Sequence, residues 1–164
     1  MKIVGKKSLS LVMRILLDGV LILGIVLATW ISIDTLRAAD LADRTGLKVF
    51  LMGVFGLGTA GLLLVIYSLR GILHSLVKGD PFQKKNVTRL RRIAGGCFIA
   101  AACYFLNIVV NPGYGPMRLL YMDAKGIHTD LEMFIFIFAG VIVLILSYVF
   151  DQAVTHKQEN DLTI

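Results

Sequence analysis

Apolar residues in this chain gather into four long blocks, at 11–33, 49–69, 93–110 and 131–150, separated by shorter polar segments. Each block comes close to the ~20 residues that an α-helix needs to cross a ~30 Å hydrocarbon layer at ~1.5 Å per residue. That layer offers the backbone no water, so each block must satisfy its own amides and is predicted to be helical. The pattern predicts an all-α chain: one integral membrane domain over 1–164, a bundle of four transmembrane helices. Between the second and third blocks the pattern changes. Leu69, Ile72, Leu73, Leu76 and Val77 recur at helical spacing, so the second helix should continue past the bilayer. Gly79 should end it in a left-handed conformation, and Asp80 should cap a new helix with Pro81 at its first position. Phe82, Asn86, Val87, Leu90 and Ile93 then share one side. Residues 70–92 therefore read as a helical hairpin extending from the bundle between helices 2 and 3.

Charge gives this pattern a direction. Lys2, Lys6, Lys7 and Arg14 flank the first block, and Arg70, Lys78, Lys84, Lys85, Arg89, Arg91 and Arg92 crowd the hairpin. Arg37, Arg44 and Lys48 in the first connection are offset by Asp34, Asp40 and Asp43; Arg118 and Lys125 in the third are offset by Asp123 and Asp130. The positive-inside rule then places both termini and the hairpin in the cytoplasm, in a multi-pass arrangement. The net charge of +6 is mostly this asymmetry. It fits contact with anionic lipid headgroups, and direct nucleic-acid binding is not expected. Four blocks leave only short connections, too small for a soluble catalytic or DNA-binding domain. The first block exceeds the ~7–15 apolar residues of a signal-peptide core and is expected to stay as an anchor.

Polar residues inside the blocks are few. Arg14 and Asp18 stand four apart and predict a local ion pair on one face of the first helix, with a binding or sensing role for Asp18 as the alternative. Trp30 reads as an interfacial anchor. Gly56 with Ala60, and Gly96 with Ala100, form small-xxx-small pairs for close packing within the chain or, second, in a homo-oligomer. Tyr104 and Asn107 can face one groove, either as an interhelical hydrogen bond or as a pocket open to the outside. Residues 129–132 read as a capping box for the fourth helix. Cys97 and Cys103 fall on different faces of one helix and read as small core residues. His74, His128 and His156 stand alone, and no nucleophile–base pair, metal-ligand spacing or phosphate loop is present. No catalytic residue, cofactor or metal is expected, and the protein reads as a non-enzyme.

Two segments carry a resemblance. Gly79-Asp80-Pro81-Phe82, with Asn86 and Arg89-Leu90-Arg91-Arg92-Ile93, forms the first. Tyr148-Val149-Phe150-Asp151-Gln152-Ala153, with Glu159-Asn160-Asp161-Leu162-Thr163-Ile164, forms the second. Together they resemble the DUF2975 family, small bacterial four-helix membrane proteins of unknown function. The resemblance implies a bacterial cytoplasmic membrane and no particular activity. Members are often encoded beside a small helix-turn-helix regulator, which by association makes such a regulator the candidate cytosolic partner.

The leading expectation is a sensor or docking module. Asp80, Pro81, Phe82, Asn86, Arg89, Arg91 and Arg92 on the hairpin, with Asp161, Leu162 and Ile164 in the tail, would form the docking surface. Arg14, Asp18 and Asn107 are the intramembrane polar residues. The alternative is a small oligomeric transporter or channel component built on the glycine-rich second helix, Asp18 and Asn107. A purely structural role, in which the hairpin braces helices 2 and 3, competes with both.

Overall fold

The computed structural model describes residues 9–37, 45–110, 121–123, 126–128 and 131–162. Four long helices dominate: α1 (Leu9–Arg37), α2 (Thr45–Lys78), α3 (Lys84–Val110) and α4 (Glu132–Leu162). Two short strands, β1 (Tyr121–Asp123) and β2 (Gly126–His128), pair antiparallel between α3 and α4, with Met122 opposite Ile127. The hydrophobic pattern does not predict this ribbon.

The helices are longer than a bilayer requires. α2 has 34 residues, and at ~1.5 Å each it is about 50 Å long against a ~30 Å hydrocarbon layer. Its apolar run passes into the hairpin as its periodicity requires. Gly79 ends it with φ 86°. The Asp80 amide donates to the Ser75 carbonyl (3.2 Å) and the Gly79 amide to that of Leu76 (3.1 Å), which is a Schellman closure. The next helix opens later than expected. α3 starts at Lys84, after the Gln83 amide has donated to the Pro81 carbonyl (3.1 Å) and the Asn86 amide to that of Gln83 (2.9 Å). The reason lies in Asp80, whose carboxylate accepts from the Gln83 side chain (2.7 Å) and from Lys157 of α4 (3.2 Å). An acid engaged in that way is not an N-cap.

Packing follows chain order. α1 lies on α2, α2 on α3 and α3 on α4. All neighbours run antiparallel: Arg14 meets His74 and Asp18 meets Arg70 between α1 and α2, Gly71 meets Arg89 and Gly58 meets Cys103 between α2 and α3, and Lys84 meets Asp151 and Phe98 meets Gly140 between α3 and α4. α3 is the central element. Of its most apolar window 39% is buried, against 0%, 6% and 11% for α1, α2 and α4. Small residues explain this: Ala94, Gly96, Cys97, Ala100, Ala101 and Cys103 are all buried and let α2 and α4 approach. Both cysteines are free. The glycine pairing differs from the expected one. Gly61 meets Gly96 and Gly58 meets Cys103, whereas Gly56 has nothing near its Cα hydrogen position.

Candidate functional site

At the hairpin end, α2, the Gly79–Gln83 turn, α3 and α4 are tied into one clasp. Its centre is Asn86, which is 1% exposed. The Asn86 amide nitrogen donates to the Pro81 carbonyl (2.7 Å), and its oxygen accepts from Ser75 (3.0 Å) and Arg89 (2.8 Å). Arg89 crosses back to α2, where Nη1 also donates to the Gly71 carbonyl at 2.7 Å and to the Ser75 hydroxyl at 2.9 Å. Gly71 makes that crossing fit, because a Cβ there would lie 2.5 Å from Arg89 Nε.

The outer side of the clasp reaches α4. Asp151 accepts from Lys84 (2.6 Å) and Arg91 (3.1 Å), Lys157 pairs with Asp80, and the Phe82 and Phe150 rings stack 5.3 Å apart at 16°. Arg91 also lies over the Tyr148 ring at 5.4 Å. Tyr148, Phe150 and Asp151 of the second segment that carries the family resemblance thus meet the first. Their spatial meeting was not visible in the sequence.

Asp80 and Asp151 share the pH sensitivity of this contact, the Asp151 carboxyl being held low by its bond from Lys84 and by Arg91. The hydrogen bond from Gln83, and then that from Lys157, hold the Asp80 carboxyl below the usual 3.8. A depressed folded-state pKa means that this contribution is complete above the ordinary carboxylate range and is lost as pH falls through the lowered value. Carboxyl-carbon NMR in micelles is expected to place the Asp80 midpoint below 3.8. Gln83→Ala should move it back upward, and an unshifted midpoint in both proteins would contradict the contact.

A second feature lies beside the clasp, between α1, α2 and α3. Arg14, Ser68, Arg70, His74, Arg89 and Arg92 line a polar cleft of about 320 Å³. The expected local pair of Arg14 with Asp18 is replaced by contacts across to α2. Asp18 accepts from Arg70, and Arg14 Nη1 donates to His74 Nδ1 at 2.8 Å. The antiparallel α1–α2 register sets these charges opposite each other, and partners across the interface replace the partner one turn away. The Arg14 bond needs a neutral His74 ring with its proton on Nε2.

The third feature is at the opposite end, where a cleft of about 530 Å³ opens between α2, α3 and α4. Asn107, Tyr104, Thr59, Phe136 and Glu132 are among its walls. Asn107 therefore lines a cleft between three helices. Tyr104 packs against Phe136 at 6.2 Å. Glu132, expected only as a helix-end charge, opens α4, and its Oε2 is buried with no hydrogen-bond partner. Its signal in the sequence was its register: Glu132, Phe136 and Gly140 follow one face of α4, and a Cβ on Gly140 would lie 2.8 Å from the Phe98 ring of α3. The rest of the proposed capping box, Thr129 and Asp130, lies outside the described residues.

The sequence-derived docking residues divide accordingly. Asp80, Pro81, Phe82, Asn86, Arg89 and Arg91 are brought together in the clasp. Arg92 turns to the polar cleft. Asp161 and Leu162 end α4, but their side chains, like Ile164, lie outside the described residues. Among the described residues no three His, Cys, Asp or Glu side chains gather as metal ligands.

Four helices long and apolar enough to cross a bilayer, each antiparallel to its neighbour, define a multi-pass membrane protein. Residues 35–164 match the model of a family described as "Protein of unknown function (DUF2975)", and the chain belongs to that family. No match is found among curated proteins or among solved structures.

Proposed function

We propose that the protein is a non-enzymatic membrane sensor whose clasp end docks a cytosolic partner. The positive-inside bias supports a cytoplasmic clasp and cytoplasmic termini in a bacterial cytoplasmic membrane. The observation that carries the proposal is shared helices: α2, α3 and α4 line the far cleft and also form the clasp. A molecule that changes helix spacing at the cleft would reach the clasp through the same rigid elements, provided it binds the two spacings with different affinity. A cleft of this size is in the range of small-molecule sites. A small helix-turn-helix regulator remains the candidate partner, on the family association alone.

The reading as an oligomeric transporter or channel component rests on the glycine-rich α2, Asp18 and Asn107. Asp18 and Asn107 lie toward opposite ends, with the tight Gly61–Gly96 seam between them, so a path joining them would have to run between copies.

Co-purification from the native host in mild detergent tests the reading. The intact chain is compared with Asp151→Ala/Lys157→Ala, which removes ion pairs of the clasp and leaves its buried centre. The expected result is a specific cytosolic partner whose recovery falls about tenfold in the variant, a change of ~1.4 kcal/mol. Equal recovery would remove the clasp as the docking surface.

A further inference from the structure

The polar cleft between α1, α2 and α3 is unexplained by docking or by a signal at the far cleft, and its chemistry is specific. Four arginines, Arg14, Arg70, Arg89 and Arg92, converge on about 320 Å³. One carboxylate, Asp18, offsets them through Arg70. Arg89 is anchored through Nη1, and Arg92 makes no ion pair among the described residues. Converging like charges repel, and the repulsion is stronger beside an apolar slab than in open water. The wall also holds Ser68, which is 2% exposed and whose hydroxyl is buried without a partner. A buried hydroxyl with its bond unmade is unfavourable, so Ser68 marks a place for a ligand atom. Guanidinium groups and a hydroxyl around one small polar space form a receptor for a tetrahedral oxyanion, which accepts from every one of them.

We infer that this cleft binds a phosphate group, carried either by an anionic lipid headgroup or by a soluble phosphate. The inference stands apart from the docking proposal. The cleft lies at the hairpin end of the spans, where positive-inside orientation places the anionic leaflet. Bound phosphate would neutralise the arginines, accept from Ser68 and fasten α1 to α2 and α3. α1 packs on α2 alone among the helices, so it is the element this bond would hold most.

The test uses the full chain in nanodiscs. One arm compares phosphatidylcholine discs with discs containing phosphatidylglycerol; the other adds inorganic phosphate to phosphatidylcholine discs. Thermal stability of the protein is followed as each anion is titrated. Variants are Arg92→Gln, Ser68→Ala and, as a charge control on exposed α3 surface, Lys85→Gln. Saturable stabilisation by phosphatidylglycerol alone assigns the lipid source, and stabilisation by inorganic phosphate assigns the soluble one. In either case apparent affinity should fall about tenfold in Arg92→Gln, the loss of one charge-assisted bond, and severalfold in Ser68→Ala. Lys85→Gln should bind as the unaltered chain does. Ser68→Ala is the decisive variant because it keeps the charge and removes only a hydroxyl. In an empty cleft it would be neutral or stabilising. No stabilisation by either anion, or either Arg92→Gln or Ser68→Ala indistinguishable from Lys85→Gln, overturns the inference.

Discussion

Gly96→Leu is expected to separate α2 from α3 and to cost about 3 kcal/mol or more of stability in mixed micelles. A Cβ at Gly96 would fall 2.7 Å from the Gly61 carbonyl oxygen and 2.6 Å from a methyl of Val65. The reverse view is close but less tight, since a Cβ on Gly61 would lie 3.1 Å from the Gly96 carbonyl oxygen. A carbonyl oxygen is helix backbone and has no rotamer to move to, so the two axes must part. Parting them also loosens the Gly58–Cys103 contact nearby. Lipid tails are as apolar as the helices, so no hydrophobic force pulls the pair back, and close packing holds much of the association energy.

The matching control is Gly56→Leu. Nothing lies within 4 Å of the position its Cβ would take. It should leave stability unchanged or raise it by up to ~1 kcal/mol from helix propensity. Unfolding followed by detergent titration separates the two outcomes. Equal behaviour of the two variants would mean that Gly61 and Gly96 are not the seam.

That pair of variants also marks the boundary of what sequence could say. The four spans were legible because a bilayer demands length and apolarity, both of which composition records. The stop at Gly79 was legible because a left-handed residue without a Cβ is a local requirement. Helix rotation was not. In a soluble helix the apolar stripe names the buried face, but α2 is apolar on every side of its membrane part, and lipid accepts any of them. Choosing Gly56 with Ala60 over Gly61 was therefore a choice among equals until α3 was in place. The same gap separates Arg14 and Asp18. Their spacing permits a local pair, and only the α1–α2 register reveals Arg70 and His74 as better placed.

The site was half legible. The residues of the hairpin motif stood out as a group, and their capped, basic pattern pointed to a surface for another molecule. What the pattern could not carry was Asp151, Phe150 and Lys157, some seventy residues away and in contact with that motif. Motif residues that bond within the chain raise the weight of the bracing role, and the docking proposal now rests on the assembled clasp more than on any one of its side chains. Glu132 and Ser68 were missed for a related reason. Each looked ordinary for its position, a helix-end acid and a small residue in a span. Burial without a partner is a property of the folded chain alone.

Asn86→Leu is the variant that weighs bracing against surface chemistry. The side chains are similar in size, so the change removes bonds without opening a large cavity. It removes three: the donor to the Pro81 carbonyl and the acceptor for both Ser75 and Arg89. Arg89 keeps Gly71 and Ser75, but the Pro81 carbonyl loses its side-chain partner and the charge loses one acceptor in a half-buried site. With unmade buried bonds at ~1–3 kcal/mol each and more for charged groups, about 3 kcal/mol is the expected loss. It should appear as faster amide exchange at Asp80 and Asn86 and as trypsin cleavage after Lys78 or Lys84, while the membrane part stays folded. Arg91→Ala provides the contrast. It breaks a half-exposed ion pair with Asp151, for which ~0–1 kcal/mol is typical, and the hairpin should stay protected. An open hairpin in Asn86→Leu that also loses a bound partner makes the clasp a scaffold for docking; an open hairpin that keeps its partner makes it a brace. A hairpin that stays closed would mean that the three bonds of Asn86 are not what holds it.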